Sequence, residues 1–136
     1  MNQYTRLFHI IVLLIVIALG FGSKYYSGPG RYWFNDYGAG VMYVAFFIIF
    51  FSFFFSSRKF LNRITLIVFL TTCLLEFLQL WHPHFLEIIR HTFLGGALLG
   101  TTFVWWDFPH YVLGALIGWG VMRIIYGKLN NRLNNN

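Results

Sequence analysis

Residues 76–111 read EFLQLWHPHFLEIIRHTFLGGALLGTTFVWWDFPHY, and their placement decides the fold of the whole chain. The stretch is long and apolar enough to hold a membrane crossing of its own. Its punctuation argues otherwise. Pro83 lacks a backbone donor and disfavours helix at the residue before it, so a helix arriving through Glu76 and Gln79 stops near His82. The run from Leu94 to Gly100 is rich in glycine and far short of the roughly 20 apolar residues that a crossing takes. Residues 85–106 therefore read as an interfacial or re-entrant segment. Backbone of that kind is tolerated at membrane depth only where protein covers it or where it lines a wet cavity.

The crossings lie on either side of this segment. Residues 64–81 form an apolar span behind the basic group Arg58, Lys59 and Arg63, which reads as a tight turn. Residues 38–57 are rich in phenylalanine, and 20 helical residues reach about 30 Å, the thickness of the hydrocarbon layer. Ahead of them, residues 23–37 form a polar-aromatic loop broken at Gly28-Pro29-Gly30, with the tyrosines and tryptophan expected at a headgroup interface. Asp36 ends that loop as an N-cap of the second span or as a site residue. Residues 7–22 are apolar except for His9, expected at the interface. Arg6 followed by an apolar run also fits a signal peptide, but a span keeps the helix count even. Residues 108–126 are the fourth span, and 127–136 form a polar tail expected to fray. The fold expected is all-α: one membrane domain of four transmembrane helices, with the interfacial or re-entrant segment between helices 3 and 4.

Composition agrees. The 136 residues are 58% hydrophobic and only 10% charged, against about 25% in soluble domains, so the chain cannot cover its own surface in water. The net charge of +6 comes from basic residues flanking apolar runs, which reads against nucleic acid as a partner. Cys73, the single cysteine, can form no intramolecular disulfide.

With four spans both termini share a side. Arg6, Arg58, Lys59, Arg63, Arg123, Lys128 and Arg132 fall there, against Lys24, Arg31 and Arg90 opposite. The positive-inside rule then puts both termini in the cytoplasm of a multi-pass protein, expected in a bacterial inner membrane. The four acids, Asp36, Glu76, Glu87 and Asp107, all fall at the other, outer face. That sorting points to a polar site opening outward.

Candidates for the site follow from residue chemistry. Glu76 and Gln79 are three apart and share a helix face, and an acid inside a span needs a partner. Asp107 opens the fourth span as an N-cap or as an acid-base group, with His110 and Tyr111 one turn on, a set suited to proton transfer. Arg90 either neutralises Glu76 or grips a phosphate with its planar fork. His82 and His84, with His91 and His110, match no strong zinc spacing, so no metal or cofactor is expected. Glu87 is expected to face water. Gly114 and Gly118 give a flat helix face, a candidate for self-association.

The run Glu76-x-x-Gln79, Arg90, Gly95, Leu99-Gly100, Phe103, Asp107, Tyr111 and Gly114 resembles the bacterial membrane family called domain of unknown function 2809, over roughly residues 20–126 and most strongly over 75–114. It is also similar, more distantly, to VanZ-like proteins, which have been grouped with proteins proposed to act on lipid headgroups or lipid-linked envelope precursors. The resemblance implies a polar pocket built from Glu76, Gln79, Arg90, Asp107 and Tyr111. Two positions depart from the patterns: the acid near helix 2 is Asp36, ahead of Gly38, and Tyr111 stands where VanZ-like proteins carry an asparagine.

Three functions remain open from sequence. One is a module whose outward pocket (Glu76, Gln79, Arg90, His82, Asp36) binds an envelope lipid headgroup, a lipid-linked precursor or an amphipathic compound. Another is an enzyme hydrolysing or transferring a phospholipid or polyprenyl-phosphate headgroup, with Glu76 or Asp107 as base assisted by His110 or Tyr111. The third is a small oligomeric transporter or proton carrier.

Overall fold

In hydrocarbon a spanning segment must satisfy its backbone groups internally, so long apolar runs without breakers become helices. The computed structural model describes residues 3–55 and 58–134, with side chains placed for 6–55 and 58–127. Helix α1 spans Gln3–Tyr25. A continuous rod follows, made of α2 (Arg31–Trp33), a π-helical turn (Phe34–Gly38) and α3 (Ala39–Phe54). Helix α4 runs Arg58–Leu78, the short helices α5 and α6 cover His84–Arg90 and Phe93–Leu99, and α7 covers Asp107–Asn134. Four helical stretches are long and apolar enough to cross a membrane: Arg6–Tyr25, Arg31–Phe54, Arg58–Leu78 and Asp107–Gly127. The protein is an all-α membrane bundle of four spans.

Helix α3 is the central rod, packed against α1, α4 and α7. Val44, Ala45, Ile48 and Ile49 on it are fully buried, meeting Leu61 of α4 and Met122 of α7. The closest approach is between α3 and α7, where Gly114 lies against the Val41 carbonyl and Gly118 against Ala45. Those two glycines therefore serve packing within the chain.

Several boundaries moved. The rod begins at Arg31, not at 38, because Gly30 adopts φ 77° and starts the helix inside the expected loop. Asp36 consequently sits in the π-helical turn and caps nothing. Residues 56–57, the end of the expected second span, lie outside the described residues. The basic group 58–63 is helical and forms the first turns of α4, so the third span starts earlier and ends at Leu78. His9, expected at the interface, packs inside the bundle. It is fully buried, edge-on to Phe53 and beside Tyr126. The tail does not fray at 127, since α7 stays helical to Asn134.

Between α4 and α7 the chain makes the excursion expected from Pro83 and the glycines. Seven helical residues reach only about 10 Å, so neither α5 nor α6 crosses. Thr92 starts α6 by accepting the Gly95 N–H at 3.0 Å. Gly95 is required there, because a side chain would strike the Ile89 carbonyl. Helix α6 then reaches α3, where the Tyr43 hydroxyl donates to the Leu98 carbonyl at 2.8 Å.

Candidate functional site

Glu76 lies in the last turn of α4 and is 1% exposed. Its carboxylate accepts three hydrogen bonds. Oε2 takes the Tyr111 hydroxyl at 2.6 Å and the Gln79 side-chain amide at 2.9 Å; Oε1 takes the backbone N–H of Val104 at 2.8 Å. These donors replace the water that burial removed. One side chain thus ties the end of α4, the connection after α6 and the first turns of α7 together. Gln79 is held in turn by Gly100, whose φ of 70° suits glycine and whose missing side chain leaves room for the amide.

Arg90 does not join this group. It is 5% exposed, and its guanidinium donates to the carbonyls of Leu78 (2.7 Å) and Trp81 (3.0 Å), capping the C-terminus of α4. It also pairs with Glu87 at 3.0 Å. Glu87 accepts from His82 Nδ1 as well, at 2.8 Å, so His82, Glu87 and Arg90 form one chain across the Pro83 elbow. Hydrogen bonds from His82 first and Arg90 second hold the Glu87 carboxyl below its ordinary pKa. The expectation that Glu87 simply faces water misses this role. Among the described residues no ion pair joins Arg90 to Glu76.

Asp107 is half-buried at the first residue of α7. Glu76, His110, Lys24 and Tyr111 all act on it electrostatically, so it borders the Glu76 group. His110, one turn on, belongs to an aromatic enclosure. Its Nδ1 donates to the Trp106 carbonyl at 2.6 Å, its Nε2 accepts from Trp33 at 2.8 Å, and its ring stacks on Tyr37 at 4.2 Å. The Trp106 contact fixes the neutral tautomer that leaves Nε2 as acceptor. The loop 24–38 is secured alongside: Lys24 donates to the Asn35 carbonyl at 3.1 Å, and the Asn35 side-chain nitrogen donates to the carbonyls of Ser23, Tyr26 and Arg31. Asp36 is exposed on the π-helical turn, away from these bonds.

The candidates thus divide. Glu76, Gln79 and Tyr111 meet directly, and Asp107 borders them. His110 stands in its own enclosure, Arg90 and His82 serve the elbow, and Asp36 stands apart. Trp33, Tyr37 and Val104 are not among the candidates read from sequence. Trp33 and Tyr37 could have been found as the one dense aromatic patch in the outer loop; the Val104 N–H leaves no trace in sequence.

The model of the family described as "Protein of unknown function (DUF2809)" matches residues 30–115, more than half of the chain. The chain belongs to this DUF2809 family. The match opens at Gly30, which starts the rod, and closes one residue past Gly114. It therefore contains the whole Glu76 group and the Pro83 elbow. No solved structure matches the chain. Most of the residues that carried the resemblance have a structural role. Glu76, Gln79, Tyr111 and Gly100 latch the excursion, Arg90 caps α4, Gly95 admits the Ile89 carbonyl, Phe103 meets Phe77, and Gly114 admits α3.

Proposed function

We propose that this DUF2809 protein binds a lipid of the bacterial envelope without turning it over. The observation carrying this is a groove of about 430 Å³ between α3 and α4, walled by Tyr43, Phe47, Phe51, Ile67, Leu75 and Leu98 among others. From Tyr43 to Phe55 it follows α3 to its C-cap, about 18 Å, a length that suits one lipid chain. Its walls are almost wholly apolar, and α6 closes the end nearer Glu76. The polar end of the lipid lies toward α6, which is preceded in the chain by the exposed His91 and followed by the exposed Thr101 and Thr102. Because Glu76 and Arg90 are already occupied by internal partners, the groove carries the binding and the acids carry the shape. The distribution of basic residues supports an inner-membrane location with both termini in the cytoplasm.

Native mass spectrometry of protein extracted in mild detergent tests the reading. Wild type should carry a lipid adduct. Thr71→Trp should fill the groove from an exposed position and lose the adduct, while Thr71→Val should keep it. A wild-type protein without lipid, or a tryptophan variant carrying as much as wild type, would end the proposal.

A second reading, headgroup hydrolysis or transfer, is favoured by Asp107 alone. It is the half-buried acid on which both His110 and Tyr111 act. Asp107→Asn should then leave lipid binding unchanged and abolish any change in the membrane's headgroup composition caused by wild type. Identical lipid profiles in the two would remove this reading.

A further inference from the structure

We infer that the end of the bundle opposite the acids holds a separate site for an anionic phospholipid, in the cleft between α4 and α7. This cleft is about 370 Å³ and is lined by Asn62, Thr65, Phe69, Ala115, Leu116 and Trp119 among others. Its mouth is organised. The Trp119 indole N–H donates to Asn62 Oδ1 at 2.8 Å, and the Arg123 guanidinium lies over the Trp119 ring at 4.7 Å. A planar cation is thereby held at the entrance by cation–π attraction. Arg58, Lys59 and Arg63 stand exposed on the first turns of α4. Among the described residues no acid pairs with them: Glu76, Glu87 and Asp107 lie at the other end, and Asp36 lies on the π-helical turn at the start of the rod.

The chemistry of the occupant follows from depth. The cations sit where helices leave the hydrocarbon, at the level of lipid phosphates, and basic pockets between spans are suited to anionic headgroups. Thr65 lines the cleft, and its hydroxyl is shielded from solvent without a hydrogen-bond partner among the described residues. Phe69, Ala115 and Leu116 continue the cleft as a bed for the acyl chain. A zwitterionic lipid would bring its ammonium group into the field of Arg58, Lys59, Arg63 and Arg123, which disfavours it. This site shares no lining residue with the α3–α4 groove and stands whether or not that groove binds lipid.

Trp119 itself reports occupancy. The full chain is reconstituted in vesicles containing phosphatidylglycerol or phosphatidylcholine brominated near the top of the acyl chain, and fluorescence quenching is read against mole fraction. Trp119→Phe identifies its share of the signal. Quenching of that share should reach half-maximum at a lower mole fraction of phosphatidylglycerol than of phosphatidylcholine, by about fivefold for each arginine engaged. Arg123→Gln with Arg63→Gln should abolish the preference and leave quenching of the other tryptophans unchanged. Raised salt should weaken the preference in wild type, a readout that needs no variant. Equal quenching by the two lipids, a preference insensitive to salt, or a preference that survives in the double variant would each overturn the site.

Discussion

The two ends of the bundle handle polarity in opposite ways. At the acid end, Glu76 has three donors, Arg90 has two helix carbonyls and Glu87, and His110 has partners on both ring nitrogens. At the basic end, Arg58, Lys59 and Arg63 are exposed with no acid beside them, and Arg123 lies on an indole above an apolar cleft. The lesson is that the position of a charge and its availability are separate facts. Acids gathered in a membrane protein invite the reading of a binding site, yet here the buried one closes the fold. The cations, which sequence reading treats as topology markers, are the groups still free to meet something outside the chain.

The strongest way to break this comparison is to remove Glu76. Glu76→Leu leaves the Tyr111 hydroxyl, the Val104 N–H and the Gln79 amide without their acceptor. Each orphaned buried donor costs about 1–3 kcal/mol. The expected outcome is a large drop in thermal stability in detergent, with exchange of the Val104 amide accelerated. Tyr111→Phe removes a single donor and should cost less, about 1 kcal/mol. If Glu76→Leu melts like wild type, the acid is not structural and belongs to a site after all.

Glycines sharpen the contrast at intermediate size. Gly114→Ala presses a methyl group onto the Val41 carbonyl, which is backbone and cannot swing aside. Overpacking of this kind costs about 1–3 kcal/mol. Gly120→Ala, on the same helix toward the basic end, meets nothing. There alanine's helix preference should make the change neutral or stabilising by up to about 1 kcal/mol. Opposite signs for two identical substitutions on α7 are what thermal melts should show. Equal effects would mean that the α3–α7 contact is looser than described.

The architecture was legible because its signals are local. Apolar runs give spans, Pro83 and Gly95-Gly96 give the excursion, and the asymmetry of charge gives two unlike ends. The pairing of Glu76 with Gln79 was also readable, from helix spacing. What stayed hidden was long-range or carried by backbone. A bond from Glu76 to the Val104 N–H spans 28 residues and involves no side chain of Val104. Arg90 was assigned to an acid or a phosphate, because nothing in its neighbourhood says that the carbonyls of Leu78 and Trp81 lie within its reach. The burial of His9 was hidden as well, because the rings around it, Phe53 and Tyr126, are distant in sequence.

The smallest expected effect lies at the Pro83 elbow and concerns pH. His82 and Arg90 hold the Glu87 carboxyl below its ordinary value of 4.5. A carboxyl depressed in the folded state contributes stability that is fully present above that ordinary value. The contribution fades as pH falls from there through the lowered folded value, because protonation removes the acceptor from both donors. Between pH 7 and 5 the elbow should therefore be indifferent to Glu87. Below about pH 4 the α5 amides should exchange faster than the rest of the acid end, after correction for the intrinsic pH dependence of exchange. Glu87→Gln should flatten that response while Glu87→Asp keeps part of it. Because Glu87 is at the surface, salt should shrink the effect as well. A response in α5 that survives unchanged in Glu87→Gln would assign the acid sensitivity to another group and detach Glu87 from the hold on Arg90.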